Sequence, residues 1–282
     1  MFKSRKFYYI LFAVGAIYVL LVQQFFKNEG RFIIQSPSYT SETPYNFDED
    51  FQELNLPINK NLNLHGLWFQ HKTKKALVLL FPDADIDIRE LKMSENTYYK
   101  NGFDVLITGY RGSALSVGEL TNENDLFSDA QHWYRFAHSQ FNENKLVIVG
   151  QGFGGSIASQ LAVNHPARAL ILENPSFSYG DDQAKKRFWW LPYSYFTSFP
   201  LNTWKEIRKT SNEIILIQDD SKRGQKEGLT DYLKSSDKVY WLKNGNKTNY
   251  SFQEKNEMVF NEIAKDLLSS AKPNKNPILK IK

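Results

Sequence analysis

The sequence predicts an α/β protein: a mostly parallel central sheet with helices on both faces, preceded by one membrane-crossing helix. Three observations carry that expectation. Residues 7–26, "FYYILFAVGAIYVLLVQQFF", hold no charge, and such a run is long enough to cross a bilayer as a helix. Continuous apolar runs then alternate with helical patterns along the chain, as in sheets covered on both faces. A glycine-rich turn, "LVIVGQGFGGS" (146–156), joins one of those runs to a helix.

The elements follow in order. Lys3, Arg5 and Lys6 open the chain, so residues 1–6 are expected in the cytoplasm and the bulk of the chain beyond the membrane. Lys27 and Arg31 partly offset that bias. The apolar segment ends in Gln-Gln-Phe-Phe-Lys without a small-x-small cleavage pattern, so 7–26 reads as an uncleaved signal anchor. Residues 27–50, rich in Ser, Thr, Asn and Pro, read as a polar connector. Strands are expected at 62–70, 74–81, 103–110, 145–150, 169–174, 213–218 and 238–243. Helical patterns lie at Asp125 to Phe136, at "SIASQLAV" and at 256–268, the last with apolar residues at spacings of three and four. The folded domain is expected over 51–271, with an aromatic cap segment at 181–207 and a loose tail at 272–282.

Composition narrows the function classes. The 282 residues are 41% hydrophobic and 15% aromatic, ample for a buried core. Cysteine is absent, which removes disulfides, thiolate metal sites and cysteine nucleophiles. The net charge of +4 is small and gathers at the chain ends. No basic stripe with interleaved aromatics points to nucleic acid.

The glycine-rich turn has two readings. Gly150, Gly152 and Gly155 spell the G-x-G-x-x-G of a dinucleotide site, with Glu173 at the distance of a ribose-binding acid. Gly150, Gly152 and Gly154 spell G-x-S-x-G with the serine replaced. The flanking sequence favours the second. Upstream, "GYRGSALSVGEL" carries Tyr110, Arg111, Gly112, Ser116 and Gly118, followed by Leu126, Asp129 and Ala130; downstream stand Glu173, Asn174, Pro175 and Phe177. In that order these stretches resemble the α/β-hydrolase superfamily, in particular its membrane-anchored, bud-emergence-protein-like branch of serine aminopeptidase and thioesterase type. The likeness runs from "FIIQSP" (32–37) through "LHGLWF" (64–69) and covers most of the chain.

The resemblance implies a Ser–His–Asp triad, and this chain departs from it part by part. Gly152 stands where the nucleophile belongs and can form no alkoxide. No histidine follows His165; the place of the base reads Gly245-Asn246-Lys247, and a lysine is protonated near neutral pH unless buried. Asp219 and Asp220 are the possible remnants of the acid. The oxyanion-like backbone falls at Phe153 and Asp83, in a loop reading Phe81-Pro82-Asp83-Ala84-Asp85, where carboxylates oppose a developing negative charge.

The same residues admit other chemistry. Ser156 opens the helix after the elbow, and a Ser156–Lys247 pair is a conceivable relocated nucleophile and base. Ser113, Ser116, Ser176 and Ser178 lie on loops and read as turn formers. Asp83, Asp85 and Asp87 begin like a calcium loop but have Ile88 and Ser94 where glycine and glutamate are needed, so no metal is expected. Trp189, Trp190, Tyr193, Phe196 and Trp204 are the cap residues that would meet a ligand or the bilayer. The expectation is thus a single-pass protein, on the extracytoplasmic side of a bacterial inner membrane. It has lost serine-hydrolase activity, needs no cofactor, and binds a hydrophobic ligand or an envelope protein. An active hydrolase with the relocated serine and a dinucleotide-binding protein are the alternatives.

Overall fold

The structure, a computed structural model, describes residues 2–34, 44–45, 47–89, 91, 93–113, 115–224, 228–243, 253 and 255–269. Eight strands form one sheet in the order β1-β2-β4-β3-β5-β6-β7-β8. They are β1 (Gln52–Asn59), β2 (Leu62–Phe69), β3 (Ala76–Phe81), β4 (Phe103–Thr108), β5 (Leu146–Gln151), β6 (Ala169–Glu173), β7 (Ile214–Asp219) and β8 (Lys238–Leu242). Only β2 runs against its neighbours β1 and β4; all other pairs are parallel.

The sequence dictates this arrangement strand by strand. β3, β5, β6 and β7 read ALVLLF, LVIVGQ, ALILE and IILIQD and are buried at every residue, because helices cover both faces. β1, QELNLPIN, is an exposed edge strand, where Pro57 costs no ladder bond that a central strand would need. Its polar composition hides it from pattern reading, and it joins the strands expected from sequence as an eighth.

Side chains alternate between the faces, so the core divides in two. Leu77, Leu79 and Phe81 belong to one cluster; Val78 and Leu80 belong to the other. Helices α4 (Glu123–Gln140) and α5 (Gly154–Asn164) pack on the first cluster through Leu126, Ala130, Trp133, Ile157 and Leu161. Helices α3 (Thr97–Lys100) and α9 (Glu257–Ser269) pack on the second through Tyr98, Phe260, Ile263 and Leu267. α4 begins at a capping box of Asn122 and Asp125, which satisfies two amides the first turn leaves open. Arg111, in the loop after β4, grips that same helix with two 2.7 Å bonds to Asp129 and one of 3.1 Å to Asp125. The Y-R-G and D-A motifs are therefore two halves of one ion-paired clamp.

Between β6 and β7 the chain makes the cap, with α6 (Tyr179–Lys186), α7 (Tyr193–Phe196) and α8 (Thr203–Ile207). At the N-terminus, α1 (Phe2–Lys27) contains an apolar stretch, Phe7–Lys27, long and apolar enough to cross a membrane and exposed over residues 7–21. The chain beyond it, expected as a polar connector, is ordered where described. α2 (Gly30–Ile33) follows α1 closely, and Gly30 is pressed so near the Leu120 carbonyl that a Cβ would stand 1.8 Å away. Phe47 sits edge-on to Phe69 at 5.0 Å, with Tyr45 and Phe51 around it.

Candidate functional site

The sheet order brings the ends of β3 and β5 together, with Phe81 paired to Gly150. Loops leaving those strands meet at the C-terminal edge, where open α/β sheets hold their ligands. After β5 the chain turns into α5 at Gly152, whose φ of +49° is left-handed, a conformation that costs a residue with a side chain about 1–2 kcal/mol. Gly154 is fixed by space instead: a Cβ there would meet the Phe81 carbonyl oxygen at 2.1 Å.

The volume a nucleophile would take above Gly152 is filled. A Cβ on Gly152 would fall 2.0 Å from Asp83 Oδ2 and 2.3 Å from its Cγ. Asp83 Oδ1 accepts the Phe153 N–H at 2.9 Å and the Ala84 N–H at 2.9 Å. The amide after the nucleophile and one from the β3 loop are the pair that makes the oxyanion hole of this fold. The sequence pairs Phe153 with Asp83 as that backbone. In the structure the second amide belongs to Ala84, and Asp83 supplies the anion the two amides hold. Donors already engaged by a carboxylate have little left to offer a developing oxyanion.

Aromatic rings close around this contact. Phe153 is edge-on to Tyr110 at 5.5 Å and to Tyr179 at 4.9 Å, and Tyr110 donates to the Pro82 carbonyl at 2.6 Å. Burial, reinforced by the Asp83 charge, pushes both phenols up, so they stay neutral. The other aspartates of the loop face elsewhere. Asp87 pairs with Arg89 at 2.9 Å, and burial with the Asp83 charge pushes the Asp85 carboxyl up. Among the described residues no group of three or more His, Cys, Asp or Glu is arranged to hold a metal ion.

Behind the elbow stands a second carboxylate. Glu173 takes the Gly152 N–H on its main-chain oxygen at 3.0 Å. Its side chain accepts from Tyr98 Oη at 2.8 Å, Gln151 Nε2 at 2.9 Å and Gln253 Nε2 at 3.1 Å. Gln253 in turn accepts the Thr97 N–H at 3.2 Å. Burial pushes the Glu173 carboxyl up, while its three hydrogen-bond donors pull it back. Fully buried and engaged, Glu173 is no ribose ligand, and the amide of Phe153 that would meet a pyrophosphate is on Asp83. The dinucleotide reading finds no geometry to support it.

The remaining triad positions have these bonds among the described residues. Asp219 accepts the N–H of Ser221 at 3.0 Å and bonds its hydroxyl as well; Asp220 pairs with Arg223 at 3.1 Å near the surface. Lys247, with Gly245 and Asn246, lies outside the described residues. Ser156 is buried in α5, with its Oγ 3.1 Å from the Leu201 carbonyl and 2.7 Å from Thr203 Oγ1. Ser113 bonds the Tyr110 main chain, Ser116 accepts the His65 N–H, and Ser178 caps α6. The structure brings together Gly152, Phe153 and Asp83, and leaves Ser156, Asp219 and Asp220 in other partnerships.

The cap residues also part company. Tyr193 is buried, between Phe188 at 4.7 Å and Phe26 at 5.9 Å. Trp204 stacks on Phe177 at 6.0 Å and leans on Tyr232. Trp189, Trp190 and Phe196 are exposed. Ala84, Tyr98 and Gln253 escaped the sequence reading. For Ala84 a signal existed, since the second oxyanion amide comes from the β3 loop; for the other two, only the fold reveals the contact.

Comparison with known proteins agrees with the fold. The family described as serine aminopeptidase, S33, matches residues 75–269. Bem46 of Schizosaccharomyces pombe (strain 972) is 28% identical over 188 residues, 62% of this chain and 61% of that protein. The chain thus spans less than two thirds of that relative's length. Among solved structures, an α/β hydrolase from Vibrio vulnificus superposes with a TM-score of 0.60 at 17% identity, over 77% of this chain and 81% of its own. An esterase from Pyrococcus furiosus gives 0.62 at 16%, over 84% and 97%. At such identities these two share the fold.

Proposed function

This chain belongs to the serine aminopeptidase S33 family of α/β hydrolases, and from that premise we propose that it is a membrane-anchored member that binds without hydrolysing. One observation carries the reading: the Asp83 carboxylate lies over Gly152 and takes the Phe153 and Ala84 amides together. Acyl transfer in this fold needs a nucleophile at the elbow and free donors for the oxyanion. Here the first has no side chain and the second are bound to an anion of the protein's own. The two departures fit one another in space, which favours a settled loss of catalysis over a displaced one. Ser156, the alternative nucleophile, bonds a carbonyl and a threonine and has no described base beside it.

In this reading α1 holds the protein in the membrane, with residues 1–6 cytoplasmic and the hydrolase-like domain, 51–271, on the far side. The cap, 181–207, and the elbow beneath it are then the surface left to meet a hydrophobic ligand or an envelope protein.

Fluorophosphonate labelling of the detergent-solubilised full chain tests the loss of chemistry, with an active esterase of the same fold labelled in parallel. The expected result is no adduct on this protein. A serine adduct that is lost on heat denaturation, located by mass spectrometry, would overturn the reading and name the nucleophile.

A further inference from the structure

The cap and the anchor helix touch one another. Phe25, near the end of α1, lies 5.1 Å from the Phe188 ring, and Phe26 lies 5.9 Å from Tyr193 and 6.0 Å from Phe196. Glu29, buried just beyond α1, accepts the Thr197 hydroxyl at 2.5 Å and the Ser198 N–H at 2.9 Å. A buried carboxyl group holding two donors of the cap fixes the junction, since breaking it would leave buried polar groups unpaired. The contact also climbs the helix. Tyr18 Oη comes within 3.5 Å of the Trp190 carbonyl. Tyr18 precedes Lys27 by nine residues, or about 14 Å along a helix axis.

The hydrocarbon of one leaflet is about 15 Å deep. If Lys27 marks the end of the apolar span, Trp190 lies well inside the level of the near leaflet. The rings around it face outward: Trp189 is 79% exposed, Trp190 55%, Tyr195 89% and Phe196 63%. Large aromatic side chains exposed at four positions between 189 and 196 are costly to leave in water. Lys185, Lys186 and Arg187 precede this patch and are exposed, a charge suited to anionic headgroups.

We propose that the segment Phe188–Phe196 inserts into the leaflet beside α1, as a second and monotopic membrane contact. The occupant of the exposed 188–196 patch is therefore lipid of the same bilayer, which leaves the rest of the cap and the elbow to the ligand or partner of the proposed function. This rests on the anchoring role of α1. The C-terminal edge of the sheet, with Asp83 and Gly152 beneath the cap, then faces the membrane surface.

The chain has no cysteine, so single cysteines report cleanly. Trp189→Cys and Tyr195→Cys, in the full chain, are spin-labelled and reconstituted in bilayers of phosphatidylcholine and phosphatidylglycerol. Collision with oxygen and with a water-soluble nickel chelate is measured. Ala13→Cys in α1 and Ser139→Cys at the exposed end of α4 are the references for lipid and water. Labels at 189 and 195 are expected to collide several-fold more with oxygen than with nickel, as Ala13→Cys does. Nickel access equal to that of Ser139→Cys would overturn the proposal by leaving the cap in water. Access to neither reagent would overturn it by showing the patch covered by protein, either this chain's own or a second copy's. Nickel access at Ala13→Cys would overturn the anchor, and the cap contact with it, without touching the labelling result at the elbow.

Discussion

Two carboxylates flank Gly152, and they hold the elbow in opposite ways. Glu173 sits behind it, fully buried, and each of its bonds comes from a side chain placed by a different element: Tyr98 from α3, Gln151 from β5, Gln253 from just before α9. Asp83 lies in front, partly exposed, and its described donors are main-chain amides of the turns themselves. The rear carboxylate ties three elements to the end of β6 and maintains the frame of a hydrolase. The front one occupies the place where that frame would do chemistry. On the proposed reading, one carboxylate serves the fold and the other blocks the chemistry.

The sharpest way to break the contrast is to remove the rear carboxylate. Glu173→Ala leaves three buried donors without their acceptor, and each orphaned group costs about 1–3 kcal/mol. A loss of about 3–5 kcal/mol in chemical denaturation is expected, enough to threaten folding. Next in size is the elbow itself. Gly152→Ser meets both left-handed strain and the Asp83 carboxylate, so a loss of about 2–3 kcal/mol is expected, from strain plus displaced hydrogen bonds, with no fluorophosphonate adduct. Adding Asp83→Gly should recover part of that loss, because residues that share space are not additive. A double variant as unstable as the sum of the two singles would deny the fit between them.

Asp83→Ala alone is a smaller test. Its site is partly open to water, which can replace the lost acceptor, so about 1 kcal/mol is expected. A loss as large as that of Glu173→Ala would make the front carboxylate structural as well. The smallest effect is a slope with pH. Burial raises the folded pKa of Glu173, so its contribution to stability is present below the unfolded value of about 4.5 and is lost as pH rises through the folded value. Wild type should therefore lose stability relative to Glu173→Gln as pH climbs above 4.5, and the difference should then level. Parallel curves across that range would contradict the cause assigned to the shift.

The strands of the sheet centre were legible because a doubly covered strand has no choice but to be apolar throughout. β3, β5, β6 and β7 meet that condition; β1 lies at an edge, carries Pro57 and polar residues, and gives no such signal. The vacant elbow was legible at Gly152 because the fold places one residue there. What the chain could not disclose was where Asp83 points. That contact joins residues 70 apart in sequence and exists only because β3 and β5 are neighbours. The Glu29 junction to Thr197 spans 168, and nothing local marks a glutamate after an apolar helix as a clasp. The cap aromatics read alike in sequence, yet packing buries Tyr193 and leaves Trp189 outside.

If catalysis is lost as proposed, the fit of Asp83 above Gly152 also makes that loss hard to reverse. While the carboxylate stays, a serine regained at 152 meets a collision and a negative charge, and is removed by its cost to folding before it can be useful. While glycine stays, a smaller residue at 83 merely loosens the loop and returns no reaction. Each change is a handicap until the other has occurred, so on the proposed reading a return to chemistry at the elbow is barred. A descendant of this protein that turns over substrate should carry its nucleophile somewhere other than the elbow.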